Sequence, residues 1–336
     1  MPSFIIQKDV IDELFIREDE YSEFINFIKN DFFGYTLICD FKSPEEYFTH
    51  SNENPLLEII SDKIRNIIYN TNLENDLLND NIFKNLGERN IFLTNLTENE
   101  CEKLNSKFGY IFMNIENLNQ VWNLFTETSN GKNYKVTSER NVPDKYRMDN
   151  WNKLKIYFKN TKSIIIFDRY ILGDKTNQKI VDNLFPLLDV ICENSTTKTK
   201  KLSIITEFTK DDISQKYSII ETYIKLKKYN IEINLINHCK SFYPRNFEGL
   251  HSRLILTNYL HFMCLDSFNF FKSNGQINNV ADLFINFNLC EKFKFSYEKD
   301  LNDIKLYISK IVNNPEHPSE SNKIMFLKNK NNPLLN

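Results

Sequence analysis

Glycine is scarce, at seven residues in a chain of 336. Aromatic residues are plentiful, with 28 Phe and 16 Tyr. A chain so poor in glycine and so rich in rings is not disordered, because it can bury enough apolar surface to offset the entropy of ordering. Paired cysteines are missing as well. None of Cys39, Cys101, Cys192, Cys239, Cys264 and Cys290 forms a Cys-x-x-Cys pair. His238 and Cys239 are adjacent but have no partner at metal-ligand spacing. The pattern is that of thiols in a reducing cytosol, with no metal and no cofactor expected. The chain shows no signal peptide and no apolar run long enough to span a bilayer, so a cytoplasmic location is expected. Charge of one sign is lacking too. The net charge is −3, so no strong overall field draws DNA or an anionic membrane, and phosphate binding would need a local patch.

What remains is ordinary globular material. Hydrophobic residues make up 41% and charged residues 26% of the chain, enough for a sizeable core in one large or two ordinary domains. The surplus of Asn, Lys and Ile resembles the codon bias of an AT-rich genome.

The first 130 residues read as α/β. Apolar runs at 33–41, 90–95 and 109–115 predict strands. Residues 54–70 carry Leu56, Leu57, Ile59, Ile60, Ile64, Ile67 and Ile68 at helical spacing, with Pro55 suited to a first turn. Thr97 followed by Glu100 predicts a capped helix over 97–108. Such alternation predicts a parallel sheet. Residues 131–150 are polar and read as a linker or exposed loop. Their cations Lys132, Lys135, Arg140, Lys145 and Arg147 suit either phosphate contact or plain solvation.

A second α/β region is expected over 151–314. Strands are predicted at 162–172, 201–206 and 231–237, with helices at 177–194 and 209–229 between them. Pro186 falls inside the first of these helices as a candidate kink. Two further strands flank a turn at Asn258-Tyr259-Leu260, and helices are expected at about 278–286 and 298–312. Residues 315–336 read as a loosely ordered tail.

Within this order stands "GLHSRLILTNYLHFMCLDSFNFF", residues 249 to 271. It reads His251-Ser-Arg253, four residues, Asn258, seven residues, then Asp266-Ser267-Phe268-Asn269. Residues 162–271 resemble one repeat of the phospholipase D superfamily, whose signature is His-x-Lys, four residues, Asp, then Gly-Ser-x-Asn. The resemblance covers about a third of the chain. It implies a three-layer α/β/α domain with a mixed sheet, preceded by a separate N-terminal α/β domain.

In that family the His attacks a phosphodiester phosphorus, and the Lys, Ser and Asn donate to oxygens where charge grows. No metal is needed. One residue intervenes between His251 and Arg253, so both leave the same face of a strand. The resemblance therefore makes His251, Arg253 and Asn258 the candidate catalytic residues, with Ser267 and Asn269 as phosphate binders. Asp168, Arg169 and Glu207 join them because they follow the carboxyl ends of predicted strands, where α/β sheets bind ligands.

The departures from the signature are Arg253 for Lys, Asn258 for Asp, and Asp266 for Gly. Arg keeps the charge but not the shape of Lys. Asn258 removes a negative charge, and Asp266 adds one beside any bound phosphate. The His-x-Arg form is similar to that of a phospholipase D-like domain, found in a eukaryotic MIT-domain protein, that binds phospholipid without cutting it.

Only one such motif is present, so an intact active site would require a homodimer with paired His251. Three functions stay open. One is a degenerate module binding phosphate-bearing ligands, nucleic acid foremost, with weak or no hydrolysis, in a setting such as bacterial defence or a mobile element. Another is an active homodimeric phosphodiesterase or nuclease. The last is a non-catalytic subunit that binds a partner protein in a larger complex.

Overall fold

A computed structural model describes residues 2–84, 86–173, 176–193, 199–207, 213–237, 253–312, 324–325 and 332–335. The protein is mixed α/β with two sheets. The chain divides into two compact units, one of residues 1–129 with 287–295, the other of 130–286 with 296–336.

The first unit opens with β1 (Ser3–Ile6), α1 (Lys8–Ile16) and α2 (Ser22–Asn30). Then come β2 (Tyr35–Cys39), α3 (Pro44–Ser51), α4 (Pro55–Lys63) and β3 (Ile64–Tyr69). It continues through α5 (Leu73–Leu78), β4 (Asn90–Leu93), α6 (Glu98–Phe108), β5 (Ile111–Met113) and α7 (Leu118–Ser129). The strands align in the order β3-β2-β1-β4-β5, with every pair parallel.

A parallel sheet with helical crossovers is buried on both faces, and β1 shows why. Successive side chains alternate faces. Ile5 packs with Ile38, Phe92 and Phe112 against Leu73 and Leu77 of α5 and Cys101 of α6. Phe4 meets Phe24 and Phe32 on the other side, at ring distances of 6.4 and 5.1 Å. Trp122 of α7 joins that side edge-on to Phe24, with 4.8 Å between ring centroids. Residues 287–295 complete this unit: Phe287 stands 4.8 Å from the Phe125 ring, and the Tyr35 hydroxyl donates to Leu289 O at 3.0 Å.

The helix expected over 54–70 stops at Lys63, and Ile64–Tyr69 form an edge strand beside β2. Ile64, Ile67 and Ile68 fit helical spacing, but they are β-branched and fit the pleat as well. The predicted capping box forms. Thr97 Oγ1 accepts from Glu100 N–H, and the Glu100 carboxylate accepts from Thr97 N–H at 2.9 Å.

The second unit begins at 130, and here the linker expectation fails. Residues 131–150 hold β6 (Lys132–Val136) and β7 (Arg147–Met148). In β6, Lys132, Tyr134 and Val136 are buried while Asn133 and Lys135 are exposed, a period of two that the polarity of the segment obscured. A 3₁₀ segment, Trp151–Phe158, leads into β8 (Ser163–Phe167). There follow a π-helical turn (Ile180–Leu184), α8 (Phe185–Cys192), β9 (Lys200–Thr206), α9 (Ile213–Lys227) and β10 (Ile231–Asn237). Pro186 sits in the first turn of α8, directly after the wide turn, where its missing N–H costs least.

Next come β11 (Arg253–Thr257), β12 (Leu260–Cys264), β13 (Ala281–Phe287), α10 (Glu291–Val312) and β14 (Ile324–Met325). The helix expected at 278–286 is instead β13. Ala281, Leu283 and Ile285 are buried and Asp282 and Phe284 exposed, again a strand period.

The nine strands run β14-β10-β9-β8-β11-β12-β13-β6-β7. Strands β8, β9 and β10 are parallel, while β11 is antiparallel to β8 and β12. On one face Ile165, Phe167, Ile205, Ile236, Leu254 and Leu256 pack against Tyr297, Leu301, Ile304 and Tyr307 of α10. On the other face Phe262 stacks on Phe158 at 5.3 Å. Part of the expected loose tail is built into this unit. β14 pairs with β10, Leu334 is in the core, and the Asn332 amide donates to Ile164 O and Ser203 Oγ at 2.8 and 3.1 Å.

Candidate functional site

The carboxyl end of β8 brings the site together. After Phe167 the chain reaches Asp168, whose Oδ1 accepts from Tyr170 N–H at 2.9 Å. This Asx turn lifts the chain out of the sheet. Asp168 N–H still donates to Ile205 O of β9 at 3.0 Å, so the turn is tied to the neighbouring strand. β11 runs antiparallel to β8 with Leu254 opposite Phe167, and this register puts Arg253 at the same end. Cys264 lies opposite Arg253, so the chain leaving β12 carries Ser267 and Asn269 there too.

Asp168 is fully buried and is the hub of the cluster. Its Oδ2 accepts from Ser267 Oγ and from Phe268 N–H, each at 2.7 Å. The Arg253 Nε stands 3.9 Å from its Oδ1. Asn269 Nδ2 donates to Ser267 Oγ at 2.7 Å and to Tyr170 O at 2.9 Å. Three separated segments, 168–170, Arg253 and 267–269, are thereby held by one carboxylate and one amide. Burial pushes the Asp168 carboxyl above its ordinary range, and the donors and Arg253 pull against that shift.

Outside the hub lies Tyr170, exposed at 42%. The guanidinium carbons of Arg253 and Arg169 each lie 5.3 Å from its ring centroid. Arg169 also pairs with Glu207 at 2.9 Å, and Glu207 N–H donates to Arg169 O at 3.0 Å.

Of the expected site residues, Arg253, Asp168, Ser267 and Asn269 thus form one network, and Arg169 and Glu207 flank it. Asn258 does not join them. It is buried at the opposite end of the β8–β11 pair, where its Oδ1 accepts from Lys162 N–H and Ser163 N–H at 2.9 and 2.8 Å. Five residues of extended strand carry it roughly 16 Å along the sheet from Arg253. Its work is to fasten the start of β8. His251 lies outside the described residues.

Sequence reasoning missed Tyr170. Its signal was an aromatic placed directly after Asp-Arg at a strand end, where a ring has no sheet to cover it.

Chemically, the site offers two guanidinium groups, each facing a carboxylate, and an exposed ring. The hydroxyl and backbone donors that would hold an external anion converge on Asp168. No cluster of three or more His, Cys, Asp or Glu able to hold a metal occurs among the described residues. The fold and site define a mixed α/β protein with a polar network at the strand ends of its mixed sheet. Beyond that class, the chain matches no family model and no curated protein.

Proposed function

We propose that the second unit is a degenerate phospholipase D-like module that binds a phosphate-bearing ligand, nucleic acid foremost, at the Arg253 end of β11, with weak or no hydrolysis. A role in bacterial defence or in a mobile element suits such a module. One observation carries the reading: the Ser267 hydroxyl and the Phe268 N–H donate to Asp168. In a hydrolase, donors of this kind must meet the oxygens where charge develops. Here an internal carboxylate holds them. Arg253 keeps a cation at the same end of the sheet, and His251 is two residues away in sequence.

Two measurements test this. Binding of single-stranded DNA and RNA should weaken about tenfold in Arg253→Ala, the scale of one charge-assisted hydrogen bond. Incubation with single- and double-stranded DNA and RNA, EDTA present, should give no cleavage beyond a trace. Vigorous cleavage lost in His251→Ala would replace this reading with that of a homodimeric enzyme. Binding indifferent to Arg253 would remove the proposed site.

A further inference from the structure

We infer that the ligand is a single-stranded nucleic acid and that one of its bases stacks on the exposed Tyr170 ring, beside the guanidinium groups of Arg169 and Arg253. The inference rests on the phosphate-binding reading and narrows its ligand class.

Three features of the site point this way. The first is that the inner donors are already engaged by Asp168. A compact anion such as inorganic phosphate would have to displace a buried carboxylate to reach them, so the inner network discriminates against small anions. The second is that the Tyr170 ring is half-exposed on a backbone that is hydrogen-bonded on both sides. Its N–H goes to Asp168 Oδ1 at 2.9 Å, and its carbonyl accepts from Asn269 Nδ2 at 2.9 Å and Gly173 N–H at 3.1 Å. A half-exposed ring on a backbone fixed at both ends loses little freedom when something packs on it.

The third is charge balance. Arg169 faces Glu207 at 2.9 Å, and Arg253 faces Asp168 at 3.9 Å. These opposed charges, in a chain of net charge −3, do not build the positive field that holds a polyanion by electrostatics alone. An anionic membrane is held chiefly by such a field. Rings and guanidinium planes are instead the surfaces on which unpaired bases stack. A strand with exposed bases supplies both partners this surface takes: a flat π-face for Tyr170 and a phosphate for Arg253.

The test is fluorescence anisotropy at low salt with a labelled thymidine dodecamer, an abasic strand of equal length, and phosphatidylserine-containing vesicles as the alternative ligand. The proteins are the 336-residue chain and its variants Tyr170→Ala, Tyr170→Leu and Arg253→Ala. Tyr170→Leu keeps apolar bulk and removes the π-face. Both Tyr170 variants should bind the thymidine strand about tenfold more weakly, the scale of one base–aromatic stack. Their binding to the abasic strand should stay within twofold of wild type. Arg253→Ala should weaken both strands.

If both Tyr170 variants bind the thymidine strand like wild type while Arg253→Ala does not, stacking is wrong and the phosphate reading survives. Preference for vesicles over either strand overturns the inference in favour of a lipid headgroup. Failure to bind strands and vesicles alike removes both readings.

Discussion

The two ends of β8 each bury a charged side chain beside a neighbouring strand, and they do so differently. At the carboxyl end Asp168 accepts three hydrogen bonds from two places in the chain, the turn at Tyr170 and the adjacent Ser267 and Phe268, and faces Arg253 from another. At the amino end Lys200, the first residue of β9, donates from its ammonium to Phe158 O at 3.0 Å. Burial moves both groups toward their neutral forms: Asp168 upward, and Lys200 down to about 8. The carboxylate organises its surroundings, whereas the buried lysine ammonium is held by a single carbonyl, with the Cys192 thiol near it. The contrast teaches that burial alone does not mark a functional residue. What distinguishes Asp168 is the number of chain segments that depend on it.

Removing the hub should cost most. Asp168→Ala leaves two backbone donors, a hydroxyl and a guanidinium without their shared acceptor. We expect a loss of about 4 kcal/mol in urea unfolding, as for a broken buried ion pair. A loss below about 1 kcal/mol would mean that the network does not hold the strand ends.

Asn258→Ala should come next. It orphans the buried N–H groups of Lys162 and Ser163, at a cost of about 2 kcal/mol. Ligand affinity should be untouched, because Asn258 sits at the far end of the sheet. An equal loss of affinity would place Asn258 in the site after all.

Lys200→Met should have the smallest effect at neutral pH, within about 1 kcal/mol of wild type in either direction. Its signature lies in the pH profile. The folded state releases the Lys200 proton near pH 8, below the ordinary lysine value of 10.5. Between those values the unfolded chain binds more protons, so wild-type stability gains a rising contribution with pH. The Met variant should lack that rise. Identical slopes above pH 8 in the two proteins would show that Lys200 titrates normally.

Much of this was legible in the sequence because apolar runs announce buried strands. "SIIIF" and "RLILT" have no other comfortable place in a globular chain, and the spacing from Arg253 to Ser267 and Asn269 is that of a hairpin followed by a turn. The position of Asn258 was open to the same logic. Asn258 stands five positions along the strand from Arg253, and an extended strand cannot fold it back to the site. What sequence could not give is register across segments distant in the chain. Asp168 and Ser267 meet only because β11 pairs with β8 at Leu254 and Phe167. β13 and β6 were misread for a related reason. Both alternate correctly, but their outward residues are polar or aromatic, and they pair with each other across more than a hundred residues of chain, with Leu283 opposite Tyr134.

Residues 287–295 have a consequence for the order in which the protein is made. The five strands of the first sheet all leave the ribosome before residue 130. Yet the ring of Phe287 beside Phe125 and the carbonyl that receives the Tyr35 hydroxyl arrive more than 150 residues later. The unit begun first is therefore finished only after most of the second has been synthesised. In the interval Trp122 and Phe125 lack the Phe287 ring that packs on them in the finished protein.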